Sequence, residues 1–231
     1  MRFTVIIPAL DEAQFVGRAI ASAGIGVADV LVADGGSADG TQLAALRLGA
    51  RVIDVPRGRG GQMDGAASVA TGDVFVFLHA DTTLPPLWHE AVEAALGDAG
   101  VVGGAFSLRI DGRGFFYRFV ERSVALRSRA LGLIYGDQAI FVRREAFFKA
   151  GGFRKLPLME DVDCVRRLKK AGRVVVLDKS VTTSARRWNE KGRLINTVRN
   201  WFFLALYFMG ISPEALYKRY YSGGRKRHDS E

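Results

Sequence analysis

The chain has 231 residues and 48% of them are hydrophobic, which is enough to bury the core of one domain and excludes a disordered or fibrous protein. Thirty-three Lys and Arg residues against 24 Asp and Glu give a formal charge of +9, so the surface should attract phosphates, acidic membranes or nucleic acid. The single cysteine, Cys164, excludes a disulfide framework, and no signal-peptide pattern precedes Phe3, so we expect a cytoplasmic protein.

The first third of the chain alternates short apolar runs with segments of helical spacing. The apolar runs predict buried parallel strands at Phe3 to Ile7, Val30 to Ala33, Val52 to Val55 and Val74 to Leu78. The segments between them place apolar residues on one helix face, as in Phe15-Ala19-Ile20, Leu43-Leu46-Leu48 and Met63-Ala67-Ala70. This repeated β-α pattern predicts an α/β fold.

The second half is less regular. Helices are predicted at Leu87 to Leu96, Phe115 to Leu131, Arg144 to Ala150 and Glu160 to Ala171. Strands are predicted near Ala105 to Ile110, Gln138 to Arg143 and Val174 to Leu177, with a short strand-like segment at Val181 to Ser184. No repeat or interdomain linker interrupts this order.

The C-terminal region predicts two helices and a polar end. Asn196 to Met209 is mostly apolar, and Ser212-Pro213 has the pattern of a capping residue before a first-turn proline. The apolar run from Trp201 to Ile211 is shorter than the roughly 20 residues that span a bilayer, so no transmembrane helix is predicted. We expect a catalytic domain at 1–190, its helical extension at 191–222 and a disordered basic tail at 223–231.

Polar residues follow the predicted strands, where open α/β sheets bind ligands. The first strand leads through Pro8 into Asp11 and Glu12, and the second ends at Asp34 before two glycines. A carboxylate at such a strand end can accept from a ribose hydroxyl or a base N–H, and the glycines leave room for a nucleotide. The alternative for Asp34 is a plain turn with its side chain bonded to the backbone.

A glycine- and arginine-rich loop follows the third strand. Arg57, Arg59, Gly60 and the nearby Gln62 could wrap a diphosphate with guanidinium and backbone N–H groups at a helix N-terminus. The loop matches neither common phosphate-binding motif, which argues against P-loop nucleotidases and dinucleotide oxidoreductases. The alternatives are a solvated loop or, less favoured because the segment is short, an RNA contact.

Two acidic positions are candidates for the chemistry. Asp81, two residues beyond His79 and Ala80, could hold magnesium or manganese against the phosphates of a leaving group, or it could cap the helix that follows. Glu160 and Asp161 open a helix after an apolar stretch, where a general base could lie, although acids there also stabilise helices.

Further on, Arg186-Arg187-Trp188 could place a cation at a diphosphate and an indole at a sugar, or form a solvated edge.

Taken in order, four stretches resemble the family 2 glycosyltransferases of the GT-A fold, over nearly the whole chain. These are DGGSADGT from Asp34, FLHADT from Phe77, PLMED from Pro157 and SARRW from Ser184, and they are most similar to the bacterial subgroup labelled arsenosugar biosynthesis glycosyltransferases. The resemblance implies a Rossmann-like mixed sheet, mostly parallel and flanked by helices, with a helical C-terminal extension.

The resemblance also implies roles for the candidate residues. Asp11, Asp34 and the Arg57 to Gly61 loop would hold the nucleotide, Asp81 would match the last acid of the D-x-D metal motif, and Asp161 the catalytic base. Arg187 and Trp188 would match the end of the Q-x-x-R-W motif, and Asp137 would lie on the acceptor side. His79 stands in place of the first D-x-D acid and Ser184 in place of the glutamine, which weakens the expected metal site and a processive role.

The expected reaction is therefore inverting, metal-assisted transfer from a nucleotide-diphosphate sugar, with a UDP-sugar favoured, to an unidentified lipid or small-molecule hydroxyl. Nucleic acid is not expected as a partner, whereas self-association and contact with the inner membrane face are compatible with the sequence. A nucleotidylyltransferase is disfavoured because Pro8-Ala9-Leu10-Asp11 stands where its glycine-rich loop belongs. A non-catalytic membrane or anion-binding module is the other alternative, suggested by the charge and the Trp201 to Ile211 run, although packing of Phe202, Leu206 and Met209 onto the domain is favoured.

Overall fold

A computed structural model describes residues 1–24, 26–186 and 193–222. Eight strands form one sheet in the order β3-β2-β1-β4-β7-β6-β8-β5. The strands are β1 (Phe3–Ala9), β2 (Ala28–Asp34), β3 (Arg51–Asp54), β4 (Val74–Phe77), β5 (Thr82–Thr83), β6 (Val101–Asp111), β7 (Ile140–Arg143) and β8 (Arg173–Ser184). Strands β1 to β4 are parallel to one another, β7 is antiparallel to β4 and β6, and β8 is parallel to β6 and antiparallel to β5.

Helices cover both faces of this sheet. They are α1 (Val16–Ala23), α2 (Thr41–Arg47), α3 (Arg59–Val69), α4 (Trp88–Leu96), α5 (Phe115–Ala130), α6 (Arg144–Lys149), α7 (Glu160–Ala171), α8 (Arg193–Phe208) and α9 (Pro213–Ser222), with a 3-10 turn at Gly136–Gln138. The fold is thus the mixed α/β sheet with a helical C-terminal segment that the sequence predicts.

The alternation of side chains between the two faces of the sheet explains why the central strands are almost entirely apolar. Val5 and Ile7 belong to a core with α1 and α4, whereas Ile6 belongs to a second core with α3, α6 and α7. Because successive side chains point to opposite faces of a sheet, a strand covered on both faces is apolar at nearly every position, and the buried Thr4 of β1 accepts a hydrogen bond from Gly72 N at 3.0 Å. Cys164 lies in the second core, as expected, and burial raises the pKa of its thiol to about 12.

Four details of the predicted elements are wrong. β3 lies at the sheet edge and is half-exposed, because nothing pairs with its outer side among the described strands. Leu43, Leu46 and Leu48 are exposed, since α2 buries Thr41 and Ala45 instead. The two segments Val174 to Leu177 and Val181 to Ser184 form one strand, β8. Asp81 precedes the short strand β5 and so does not cap a helix.

The C-terminal helices pack as a pair against the loop that precedes α7. Phe203, Leu206 and Leu216 form a small core with Leu158 and Met159. Ser212 accepts a hydrogen bond from Ala215 N at 3.3 Å, which is the predicted cap. Two of the residues expected to pack, Phe202 and Met209, are exposed. In the described part of the chain, no helix combines the length and the apolar content that crossing a membrane requires.

Candidate active site

The candidate residues gather at the edge of the sheet where the parallel strands end. Ala9, the last residue of β1, is in register with Asp34, the last residue of β2, and His79 and Asp81 come directly after β4. Pro8 and Ala80 lie in the backbone that leads to this edge. The parallel arrangement therefore brings three separate loops together at one position in the fold.

Asp34 organises the turn after β2. It is fully buried, and its carboxylate accepts hydrogen bonds from Gly36 N at 2.9 Å, Ser37 N at 2.8 Å and Gln42 Nε2 at 2.9 Å, and from the Ser37 hydroxyl. Burial by itself would raise the pKa of Asp34, but the bonds from Gln42, Ser37 and Gly36 outweigh it and hold that pKa below its usual range. The turn interpretation of Asp34 is thus correct, and its contact with a nucleotide stays a prediction.

The loop after β1 is tied to the same turn. Asp11 adopts a left-handed backbone conformation with φ 53°, its N–H donates to Ser37 Oγ at 2.9 Å, and its carboxylate accepts from Ala38 N at 2.9 Å. Glu12 N donates to Thr41 Oγ1 at 2.9 Å. These bonds fix the two loops relative to each other.

The glycine- and arginine-rich loop divides into exposed and buried parts. Arg57 is exposed and donates to Gly35 O at 3.3 Å, so it lies over the Asp34 turn. Gly60 is buried. A Cβ atom added to it would lie 2.7 Å from Arg154 O, so the position has no space for a side chain. Gln62 is buried, and its amide nitrogen donates to Ala9 O at 2.8 Å and Ala33 O at 2.9 Å. Gln62 therefore holds the ends of β1 and β2 together.

An ion pair closes the space beside Asp81. Arg186 Nη2 donates to both carboxylate oxygens of Glu12, at 2.7 and 2.9 Å, and lies 3.8 Å from Asp81 Oδ2. The guanidinium also covers the Phe15 ring at 4.4 Å. Only 7% of the Asp81 side chain is exposed. Sequence reasoning considered Arg186 beside Arg187 but transferred the role to Arg187, which with Trp188 lies outside the described residues.

Asp81 could hold a cation only together with ligands from outside the protein. Among the described residues, no group of three or more His, Cys, Asp or Glu side chains is arranged to hold a metal ion. Magnesium and manganese commonly take one or two carboxylates and complete their shells with phosphate and water oxygens. Asp81, a largely buried carboxylate beside Arg186, could supply one ligand to a cation that diphosphate oxygens also bind.

The strongest cluster surrounds Asp161, in the first turn of α7. Asp161 Oδ2 accepts from Gly136 N at 2.7 Å, its Oδ1 accepts from Val162 N at 2.8 Å, and Arg59 Nη2 lies 3.7 Å away. Arg59 Nη1 lies 3.5 Å from His79 Nε2. Arg59 therefore joins the loop after β3, the end of β4 and the start of α7.

Glu160 shares Arg59 with Asp161. Its side chain is 3% exposed and accepts a hydrogen bond from Arg59 Nε. Burial raises the pKa of Glu160, the charge of Asp161 raises it further, and Arg59 opposes both. Burial likewise tends to lower the pKa of Arg59, but the carboxylates of Glu160, Asp161 and Asp137 raise it. The arginine is thus a permanent cation beside two acids.

The segment before β7 forms the other side of the Asp161 cluster. Burial raises the pKa of the Tyr135 hydroxyl to about 12, with Arg127 opposing and Asp161 and Asp137 adding to the effect. The Arg127 guanidinium lies 3.5 Å from the centre of the Tyr135 ring. Sequence reasoning named Asp137 here but missed the backbone N–H of Gly136 and the contacts of Arg59, Tyr135 and Arg127. The sequence carries no signal for a backbone donor.

Three sets of contacts link these groups. Asp34 reaches Asp11 through Ser37, Glu12 reaches Asp81 through Arg186, and His79 reaches Glu160 and Asp161 through Arg59. Of the predicted site residues, all but Arg187 and Trp188 are described, and all the described ones lie on the loops of this edge or on the elements packed against it. The fold is a GT-A-like mixed α/β sheet, with these acids at the ends of its parallel strands.

Sequence comparison places the chain in a family. It belongs to Glycosyl transferase family 2, whose sequence profile matches residues 4–156. No match was found among curated protein sequences.

Solved structures share the fold at low sequence identity. The mannosyltransferase PcManGT from Pyrobaculum calidifontis, in complex with GDP-Man and Mn2+, is 20% identical with a TM-score of 0.67, over 97% of this chain and 70% of that one. TarS 1-349 from S. aureus, in complex with UDP, is 16% identical with a TM-score of 0.62, over 80% of this chain and 60% of that one. Glucosyl-3-phosphoglycerate synthase from Mycobacterium tuberculosis, in complex with Mn2+, UDP and phosphoglyceric acid, is 22% identical with a TM-score of 0.54, over 78% of this chain and 69% of that one.

The chain is shorter than several of these proteins. It spans 65% of a mycobacterial protein that is 24% identical, and 37% of a longer solved chain of TarS from S. aureus. The activities of the longer proteins therefore do not transfer as a whole.

Proposed function

We propose that the protein transfers a sugar from a nucleotide-diphosphate sugar to an acceptor hydroxyl with inversion at the anomeric carbon. The observation that carries this proposal is the position of Asp161, a buried carboxylate held by Gly136 N at 2.7 Å beside Arg59 and His79. It lies at the strand-end edge, where α/β sheets bind ligands. Membership of Glycosyl transferase family 2 supports the class of reaction.

Asp161 is proposed as the general base. One of its oxygens is fixed by Gly136 N and the other by Val162 N, so the carboxylate has a defined orientation and lone pairs that can take a proton. The acceptor oxygen would lose its proton to Asp161 as it attacks the anomeric carbon opposite the leaving diphosphate. Glu160 and Arg59 would set the charge around the base, and Asp137 would lie on the acceptor side.

The donor is proposed to lie between the loops after β1, β2 and β3. Asp11 and Asp34 would contact the nucleoside, and Arg57 with the N-terminus of α3 would face the phosphates. Asp81 would hold magnesium or manganese, which when bound neutralises charge on the leaving diphosphate. Arg187 and Trp188 are proposed contacts of the diphosphate and acceptor. The complexes of related folds with UDP or GDP-Man and Mn2+ support a nucleotide sugar and a divalent cation, and we favour a UDP-sugar.

The biological setting is proposed on the sequence alone. The four motifs favour the subgroup of arsenosugar biosynthesis glycosyltransferases, acting in the cytoplasm on a lipid or small molecule. We propose one catalytic domain at 1–190 with its helical extension at 191–222, and the 223–231 tail lies outside the described residues.

Removal of the base tests the proposal. The full chain is incubated with UDP-glucose, UDP-GlcNAc or GDP-mannose and manganese, and release of the nucleoside diphosphate is followed with and without candidate acceptors. Asp161→Asn should reduce release by roughly 10²–10⁴-fold, while calorimetry shows unchanged affinity for the nucleoside diphosphate. Asp98→Asn, at an exposed acid paired with Arg173, is the matched control and should retain full activity. Unchanged turnover in Asp161→Asn would refute the assignment.

A further inference from the structure

Helix α5 has an outer face that nothing covers in the described structure. The helix packs on the sheet through Tyr117, Val120, Val124 and Ser128. On its other side Phe115 is 78% exposed, Phe119 51% and Leu126 71%, and Leu131 just beyond the helix is 66% exposed. Single exposed apolar residues are ordinary, but three large ones on one helix form a patch of the kind that marks an interaction surface.

Arginines are part of the same face. Five residues of α5 follow one another at intervals of four, three, four and three residues, which places them on one side of the helix. They are Phe115, Phe119, Arg122, Leu126 and Arg129. The single acid of α5, Glu121, is 14% exposed and is engaged by Ile110 N at 2.7 Å and by Arg118 at 2.8 Å. Arg129 pairs with Asp178, whose side chain is 95% exposed, and a pair so open to water contributes little. The face is apolar and positive.

We propose that this face of α5 docks on the surface of a bilayer that contains anionic phospholipid. Phe115, Phe119 and Leu126 would enter the boundary between headgroups and acyl chains, and Arg122 and Arg129 would bind lipid phosphates. A bilayer satisfies both properties of the face at once. A second copy of the chain on the same face would instead bring two positively charged surfaces together, because a two-fold interface pairs a surface with itself.

The docking face is connected to the candidate active site. Arg127, also on α5, covers the Tyr135 ring at 3.5 Å, and the next residue, Gly136, donates to Asp161. A bilayer held by α5 would therefore lie close to the segment that positions Asp161, and we extend the proposal to an acceptor that approaches from that side. That last step rests on the proposed function and would make the acceptor hydroxyl one that the membrane presents. The docking itself does not depend on it.

A single-site fluorescent label tests the position of α5 directly. Cys164 is 1% exposed, so Leu126→Cys supplies one reactive thiol for an environment-sensitive dye. The matched control is Leu43→Cys on α2, where the leucine is 53% exposed. Vesicles of phosphatidylcholine with phosphatidylglycerol should shift the emission at position 126 to the blue, and vesicles of phosphatidylcholine alone should not. An equal shift at position 43, or none at 126, would overturn the proposal.

Sedimentation with the same vesicles measures the contribution of each residue type. Arg122→Gln should weaken binding roughly five-fold, and Phe119→Ser with Leu126→Ser by at least about ten-fold. Binding should fall as salt rises. Leu43→Ser with Leu46→Ser should bind as the unmodified chain does. The proposal fails if the unmodified chain does not sediment, if the α5 variants bind normally, or if only Trp201→Ser with Phe202→Ser abolishes binding.

The two proposals fail separately. The α5 variants should bind a nucleoside diphosphate with unchanged affinity and cleave the donor in solution at an unchanged rate. Loss of vesicle binding with intact donor cleavage supports docking alone, whereas normal docking in a chain that cleaves no donor refutes only the proposed reaction.

Discussion

Replacing Arg59 by methionine should expose the cost of the acidic pair at the start of α7. Methionine keeps much of the side-chain volume but leaves Glu160, 3% exposed, without its cation. Without Arg59, nothing offsets the effects of burial and of the Asp161 charge on Glu160, so its pKa should rise further above the usual range. Loss of one partner of a buried ion pair typically costs about 3–5 kcal/mol, and water reaching Arg59, which is 34% exposed, favours the lower value.

Urea unfolding at several pH values measures this cost. Since the raised pKa of Glu160 makes the folded state hold a proton that the unfolded chain releases, the loss in Arg59→Met should grow as pH rises above about 4.5. Arg59→Met with Glu160→Gln should regain part of the stability, because no buried charge is then left at position 160 and Asp161 keeps its hydrogen bonds from Gly136 N and Val162 N. Arg57→Met, at an exposed arginine, is the control. A loss below about 1 kcal/mol at pH 7, or one that is equal at pH 5 and pH 8, would refute the reasoning.

Three further predictions concern the neighbouring groups. Gly136→Ala places a Cβ 2.9 Å from His79 Nε2 and 3.2 Å from Asp161 Oδ2. Donor cleavage should therefore fall by at least about ten-fold, while the melting temperature changes little. Normal cleavage would show that His79 and Asp161 are not needed in these positions. Asp34→Asn should cost about 2 kcal/mol at pH 7 in urea unfolding. Because the folded-state pKa of Asp34 is lowered, that difference should be present above pH 3.8 and disappear as pH falls further, and a difference that persists in acid would contradict the hydrogen-bonded carboxylate. His79→Asp adds a second acid near Asp81 and should lower the manganese concentration for half-maximal donor cleavage by roughly ten-fold, whereas unchanged manganese dependence would argue against a cation at Asp81.

The sequence predicts the framework because its patterns are local. The apolar runs of β1, β2 and β4 follow from strand burial, and the start of α7 follows from acidic residues in its first turn. The position of Asp34, His79 and Asp81 at one edge follows from the parallel order of the strands. Helical periodicity predicts α2 as well, but it does not say which side is covered, and the leucines of α2 prove to be exposed.

The pairings inside the site are decided by the tertiary structure. Arg59 meets Glu160 across 101 residues, and Arg186 meets Glu12 across 174. Gly136 donates to Asp161 through its backbone, which no side-chain pattern records. Such contacts depend on how far each side chain reaches once the sheet has twisted and the helices have packed, and residue types and spacing do not contain those distances. The sequence determined which acids stand at the strand ends, and folding decided which cations and backbone N–H groups face them.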